Sequence, residues 1–230
     1  MINDQVTGAD EHVDPERALA LAYAPLEVRP GVTALFALDD MLARILRTTT
    51  EPVIGQMRLT WWYEALAKLD QGSAPAEPVL RALAAEVLPH GVTGTRLAAL
   101  IDAWEVLLDP DTPDDTTLER YAMRGTILFG AAATILGASP DDPAAPAGRG
   151  WALADLALHV EDADVSSRAA GLARIGLDLA TGTRWSSRAR SLGAMAHLAR
   201  LDLAVPRGQP IRRGAPGRVA RVLWHRMTGR

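Results

Sequence analysis

Apolar residues recur along most of the chain at the three- and four-residue spacing that places them on one face of an α-helix. Leu35, Leu38 and Leu42 form such a stripe. Alternating apolar and polar positions, the pattern of half-buried strands, are scarce. The pattern therefore predicts an all-α protein. The predicted helices cover residues 15–24, 32–47, 53–69, 77–88, 93–108, 116–136, 151–164, 166–181, 185–203 and 218–227.

Proline, glycine and capping residues mark the predicted helix boundaries. Asp14 is suited to cap the first helix, because it precedes Pro15 and an acidic first turn. Pro30-Gly31 predicts a turn, and residues 139–150, rich in proline, alanine and glycine, predict a surface loop. Short connections favour a single-domain bundle of antiparallel helices. The predicted organisation is a flexible N-terminus over residues 1–13, the bundle over 14–204, and a basic linker with a short helix over 205–230.

Composition excludes several kinds of site. The 230 residues include no cysteine, which rules out disulfides, thiolate zinc sites, iron–sulfur clusters and a cysteine nucleophile. The first residues are polar and acidic, unlike a secretory signal. The longest weakly polar run, residues 125–138, is shorter than the roughly 20 residues that span a bilayer. We therefore expect a cytoplasmic protein without a transmembrane segment.

Positive charge is concentrated at the C-terminus. Residues 205–230 hold seven arginines and no acidic residue, in a chain whose formal net charge is −4. Within them, residues 218–227 predict an amphipathic basic helix with a tryptophan, as in peripheral membrane anchors. Two interpretations stay open: association with the inner face of a membrane, or a terminal helix docked on the bundle. Nucleic acid is not an expected partner, because the overall charge is acidic and aromatic platforms are missing.

Four stretches, taken in order, carry a family resemblance. They are Tyr23 with residues 34–45 (ALFALDDMLARI), residues 51–66 (EPVIGQMRLTWWYEAL), residues 121–137 (YAMRGTILFGAAATILG) and residues 151–164. Together they resemble the squalene/phytoene synthase family over roughly residues 14–203. The second stretch is especially similar to a bacterial and mitochondrial branch whose mitochondrial members act as respiratory complex I assembly factors.

The resemblance implies an isoprenoid synthase fold with a site for prenyl diphosphates. In catalytic members, two Asp-rich segments hold Mg²⁺ ions that bind the diphosphate, and two prenyl substrates condense head to head. Mg²⁺ is therefore the expected cofactor of an active protein, and an isoprenoid diphosphate or another lipid is the expected ligand. The candidate metal ligands are Asp39, Asp40, Asp155 and Asp162, and the candidate substrate-binding residues are Arg58, Tyr121 and Gly125.

The chain departs from the family pattern at both acidic segments. Asp39 and Asp40 lie about two residues before the expected positions, a shift that rotates a side chain by about 200° around a helix. Asp155, His159 and Asp162 share one helical face at i, i+4 and i+7, which is not the family's spacing. The Gly-Arg-x-Tyr-Leu-Pro continuation that follows the second segment in the family is absent.

The same acidic residues could serve in structural ion pairs and not as metal ligands. Asp40 is placed to pair with Arg44 one turn away, and the acids of the second segment have Arg124 or Arg168 as possible partners. The departures from the family's acidic segments favour a non-catalytic or lipid-binding protein at a membrane face. A role in respiratory complex assembly is expected from the family analogy alone. The alternative is an active magnesium-dependent prenyltransferase. A third interpretation is a helical interaction module with a filled core.

Overall fold

Ten α-helices and two single-turn 3-10 helices form the regular structure of residues 14–72, 74–109 and 112–230, the part of the chain described by a computed structural model. The all-α prediction is confirmed. The helices are α1 (Pro15–Leu21), α2 (Arg29–Thr48), α3 (Pro52–Lys68), α4 (Pro78–Glu86), α5 (Gly94–Glu105), α6 (Asp115–Leu136), α7 (Ala144–His159), α8 (Ala163–Gly182), α9 (Arg190–Asp202) and α10 (Pro216–Thr228). The predicted flexible N-terminus, residues 1–13, lies outside the described residues.

Helix α7 lies between α6 and α8, and glycines at both crossings bring the backbones into contact. Gly125 of α6 meets Gly148 of α7, and a Cβ on either residue would overlap the carbonyl group of the other. Gly150 of α7 lies against α8, where a Cβ would overlap the carbonyl of Ala173 and the side chain of Leu177. Because no side chain separates the backbones here, residues next to Gly125 can reach across to α7.

Helices α2 and α5 also pack against α6. The stripe predicted on α2 is buried as expected, since Leu35, Leu38 and Leu42 are all inaccessible to solvent. On α5, Leu97, Leu100 and several neighbours are buried in the same core. Four helices, α2, α5, α6 and α7, therefore converge on one buried region, and the candidate site lies there.

Two predicted breaks are wrong. Pro30 and Gly31 do not form a turn but lie in the first turn of α2, where proline is tolerated because its missing N–H has no helical partner. Residues 144–150, predicted as part of a loop, form the first two turns of α7. Pro146 is at the third position of that helix, where the same reasoning applies. Both prolines therefore lie in first turns of helices and do not interrupt them.

The C-terminal helix α10 is docked on the bundle by one face. Val222 and His225 are buried against α9, and Arg218 forms ion pairs with Glu16 of α1 and Asp202 of α9, both at 2.6 Å. The opposite face remains exposed. Within residues 14–72, 74–109 and 112–230, no helix has both the length and the apolar character needed to cross a bilayer.

Two buried histidines between α9 and α10 should make the protein less stable in mildly acidic solution. His197 and His225 lie with ring centroids 4.7 Å apart. Burial, with the positive charge nearby, lowers the pKa of His197 to about 3 and that of His225 to about 4. The unfolded chain binds these protons near pH 6.5 and the folded chain does not. The free energy of unfolding should therefore fall between about pH 6.5 and pH 4, by up to about 1.4 kcal/mol per pH unit for each histidine.

Urea titrations at a series of pH values measure this slope. The variant His197→Gln stays neutral throughout and should lose the share of the slope that one histidine contributes. The control His90→Gln alters an exposed histidine and should leave the slope unchanged. An unaltered slope in His197→Gln would contradict the assignment.

Candidate functional site

The side chain of Arg124 occupies the centre of the region where α2, α5, α6 and α7 converge. It is 3% exposed and interrupts an otherwise apolar stretch of α6. A buried cation without partners would cost several kcal/mol in desolvation, so its surroundings must supply negative charge and acceptors. Asp39 of α2 and Asp155 of α7 supply them.

The guanidinium of Arg124 bridges the two carboxylates. Its Nε and Nη2 atoms donate to the two oxygens of Asp39 at 2.7 and 2.6 Å, which is the bidentate geometry that guanidinium and carboxylate favour. Its Nη1 atom donates to Asp155 Oδ2 at 2.6 Å and also to the hydroxyl of Tyr121. The indole N–H of Trp104 donates to Asp39 Oδ1 at 3.2 Å. Both oxygens of Asp39 are thus engaged within the protein.

Two tryptophans enclose the same guanidinium. The Arg124 Cζ atom lies 4.2 Å from the ring centroid of Trp104 and 4.6 Å from that of Trp151. Cation–π contacts of this kind strengthen when they are shielded from water. The cation of Arg124 is therefore held by carboxylates and by aromatic rings together.

We call Arg124 with Asp39, Asp155, Tyr121, Trp104 and Trp151 the Arg124 centre. The ionisation of its groups follows from this geometry. Burial lowers the pKa of Arg124, but the adjacent carboxylates, Asp39 first, outweigh burial and raise it well above the ordinary value. Burial also raises the pKa of Asp155, yet Arg124 and the hydrogen bond with His159 hold it well below its usual range. Burial raises the pKa of Tyr121. Arg124 is therefore a cation and Asp155 an anion, and the phenol of Tyr121 beside them is neutral.

His159 extends the centre towards solvent. Its Nδ1 atom lies 3.2 Å from Asp155 Oδ1, and the hydrogen bond with Asp155 raises the pKa of His159 above its ordinary value. A cleft of about 250 Å³ opens here between α1, α7 and α9, and Asp155, His159 and Trp151 form part of its wall. That volume is below the roughly 300–1,000 Å³ typical of small-molecule sites.

The donor set does not fit a magnesium–diphosphate centre of the family's kind. Mg²⁺ needs carboxylate oxygens that are free to enter an octahedral shell. The oxygens of Asp39 are both taken by Arg124, and Asp155 already binds that guanidinium and faces His159. Among the described residues, no group of three or more His, Asp or Glu side chains is arranged to hold a metal ion. Magnesium binding stays a prediction of the resemblance.

The other predicted metal ligands lie apart from this centre. Asp40 points outward from α2 and accepts two hydrogen bonds from Arg17, at 2.8 and 3.0 Å. Asp162 caps α8, because its Oδ1 atom accepts from the backbone N–H groups of Asp164 and Val165. The four carboxylates of the predicted set therefore occupy three separate places.

The three predicted substrate-binding residues also lie in different parts of the structure. Tyr121 belongs to the Arg124 centre, and Gly125 forms the backbone contact with Gly148. Arg58 lies on the exposed surface of α3 and donates to the hydroxyl of Thr49 at 3.1 Å. Hydrogen bonds tie Arg58 to the end of α2 and not to Tyr121 or Gly125. The roles of the three residues in binding a substrate stay predictions.

Sequence reasoning missed the tryptophans of the centre. Trp104 and Trp151 were not among the candidate residues, although Trp151 lies one helical turn before Asp155 on the same face. Arg124 was considered only as a partner for the second acidic segment. A single arginine in an apolar helix is itself a signal, because arginine is almost never buried unless it is paired.

A known protein family matches most of the chain. The family described as squalene/phytoene synthase matches residues 11–199 of the chain. The chain belongs to this family. The resemblance inferred from the four stretches is thereby confirmed, and its all-helical fold is of the isoprenoid synthase type.

Curated relatives narrow the comparison to one branch of the squalene/phytoene synthase family. The mouse protein named NADH dehydrogenase (ubiquinone) complex I, assembly factor 6 is 30% identical over 119 residues, which are 50% of this chain and 36% of that protein. The human protein of the same name is 31% identical over 110 residues, or 47% of this chain and 33% of that protein. The matched segment thus spans about a third of these relatives. No solved structure gives a significant match.

Proposed function

We propose that this chain is a non-catalytic member of the squalene/phytoene synthase family that acts in the assembly of a respiratory complex at a membrane face. One observation carries the proposal. The guanidinium of Arg124 forms ion pairs with both Asp39 and Asp155, one carboxylate from each acidic segment. A fixed internal cation thus takes the place that a bound metal would need.

Recruiting Mg²⁺ to these carboxylates would carry a large penalty. The metal would have to displace Arg124, which is enclosed by Trp104 and Trp151. The displaced guanidinium would then remain buried without its partners, a situation that costs about 3–5 kcal/mol.

The assembly role is supported by the names of the curated relatives. They are complex I assembly factors, and the match covers only about a third of their length. The proposed partner is therefore a protein of a respiratory complex. The proposed location, at a membrane face, rests on the C-terminal helix α10.

The purified protein should release no diphosphate from farnesyl or geranylgeranyl diphosphate, with or without Mg²⁺. An active squalene/phytoene synthase under the same conditions provides the positive control. Magnesium-dependent turnover that is lost in Asp155→Ala would overturn the proposal and support the prenyltransferase alternative.

A deletion strain tests the assembly role separately. Loss of the gene should reduce assembled complex I, measured on native gels and as NADH oxidation by membranes. The variant Asp40→Asn/Asp162→Asn removes two predicted metal ligands, and asparagine still caps a helix. It should restore the complex as well as the wild type does. Failure of the wild type to restore the complex would contradict an assembly role.

A further inference from the structure

Helix α10 has a second apolar face that the bundle leaves uncovered. Leu223, Trp224 and Met227 are 46%, 53% and 67% exposed. With Ala220 they follow the spacing i, i+3, i+4 and i+7, so they form one stripe along the helix. We call these four residues the α10 stripe. Because Val222 and His225 already dock the opposite face, the α10 stripe contributes nothing to the core.

Contacts at both ends hold this helix in place. At its start, Arg218 is paired with Glu16 and Asp202. At its end, the backbone N–H of Trp185 donates to the carbonyl of Gly229 at 2.8 Å. The α10 stripe is therefore presented on a fixed helix, so a partner would not have to order it on binding.

Arginines border the α10 stripe on both sides. At 100° per residue, Arg221 lies on one edge of the stripe and Arg226 on the other. Arg221 donates to His197, and Arg226 donates to the carbonyl of Tyr23 at 2.8 Å, so neither is paired with a carboxylate in these contacts. Residues 205–230 contain no acidic side chain that would offset them.

More positive charge gathers at the end of α10. Arg184 donates to the carbonyl of Thr228 at 3.2 Å, and Arg190 donates to that of Arg226 at 2.6 Å. Each guanidinium has five N–H donors, and these contacts use only part of them. The surface around the α10 stripe is therefore apolar in the middle and cationic at its edges.

We propose that the α10 stripe inserts into the headgroup region of an anionic bilayer, with Arg221 and Arg226 against lipid phosphates. Charge complementarity identifies this occupant, because a membrane with anionic lipids attracts arginines beside an interfacial apolar helix face. A tryptophan at the boundary suits the same environment. The inference deepens the proposed function by naming the surface that meets the membrane. It rests on that function for its role in assembly, whereas the membrane contact is argued from the α10 stripe and its arginines.

A second apolar stripe, on α3, supplies a matched control. Val53, Met57 and Trp61 are also exposed, and Met57 is 67% exposed, the same fraction as Met227. Glu51 and Glu64 are exposed on the same helix or at its cap, so this face lacks a purely cationic border. Equal exposure with different surrounding charge makes Met57 the counterpart of Met227.

Vesicle co-sedimentation of the full chain tests the inference. The wild type should bind vesicles of phosphatidylcholine mixed with phosphatidylglycerol, and bind phosphatidylcholine alone much more weakly. Met227→Glu should reduce binding about tenfold or more, since it places a carboxylate in the inserted stripe, whereas Met57→Glu should bind as the wild type does. Arg221→Gln/Arg226→Gln should lose about fivefold per arginine and show a weaker salt dependence.

Three outcomes would overturn the inference: no binding to anionic vesicles, equal binding to neutral vesicles, or equal losses in Met227→Glu and Met57→Glu. A circular dichroism spectrum and an unfolding curve for each variant exclude misfolding as the cause. These outcomes are independent of the diphosphate-release assay. A protein that neither turns over prenyl diphosphates nor binds vesicles would keep its non-catalytic assignment and lose this membrane surface.

Discussion

Replacing Arg124 with methionine is expected to lower the free energy of unfolding by about 3–5 kcal/mol. Methionine fills much of the same volume between Trp104 and Trp151, but it leaves the carboxylate of Asp39 buried with only the indole N–H of Trp104 as a donor. An uncompensated buried charge is among the few single changes with so large an effect. Urea denaturation at neutral pH measures it.

Two controls assign the loss to the buried charge. The double variant Arg124→Met/Asp39→Asn should recover a large part of the stability, because the amide is neutral. Asp40→Asn breaks only the exposed pair with Arg17 and should change the unfolding free energy by less than about 1 kcal/mol. If Arg124→Met were within about 1 kcal/mol of the wild type, the Arg124 centre would not be the structural element described above.

The second large effect is expected from Gly125→Val, which should lower the free energy of unfolding by about 3 kcal/mol. Its Cβ would overlap the backbone carbonyl of Gly148, and backbone cannot move aside as the end of a flexible side chain can. Helices α6 and α7 would have to separate, which would also pull Arg124 away from Asp155. Thermal and urea unfolding measure the loss.

Gly171 of α8 provides a control at which a side chain has room. A Cβ at this position would meet nothing within 4 Å, and the residue is exposed inside a helix. Gly171→Ala should therefore raise the free energy of unfolding by about 0.5–1 kcal/mol, since alanine is the better helix former. A Gly125→Val variant as stable as Gly171→Ala would show that the α6–α7 crossing tolerates separation.

These variants also bear on the proposed function. If the Arg124 centre serves stability and not catalysis, its disruption should reduce complex I assembly only in proportion to the loss of folded protein. The α10 stripe offers the complementary case, because Met227→Glu should leave stability near that of the wild type. Assembly that fails in Met227→Glu cells, with normal protein levels, would connect the membrane surface to the assembly role.

The sequence by itself determined the helical class and much of the local structure. Periodicity identified the buried stripe of α2, and the Asp14-Pro15 pair located the start of α1, where Asp14 accepts from the N–H groups of Glu16 and Arg17. These features depend on residues a few positions apart, which is the range that helical geometry controls. The family resemblance added the isoprenoid synthase type of fold.

The tertiary structure alone decided what the acidic segments do. The helical periodicity predicts on which face of α2 Asp39 lies, but not which other helix packs against that face. The partner of Asp39, Arg124, is 85 residues away in the sequence. The same limit applies to Trp104, which reaches the centre from α5. Close packing at Gly125 and Gly148 brings α6 and α7 together so that one guanidinium can bind carboxylates of two helices. Pairings of this kind arise from the packing of helices and not from the spacing within them.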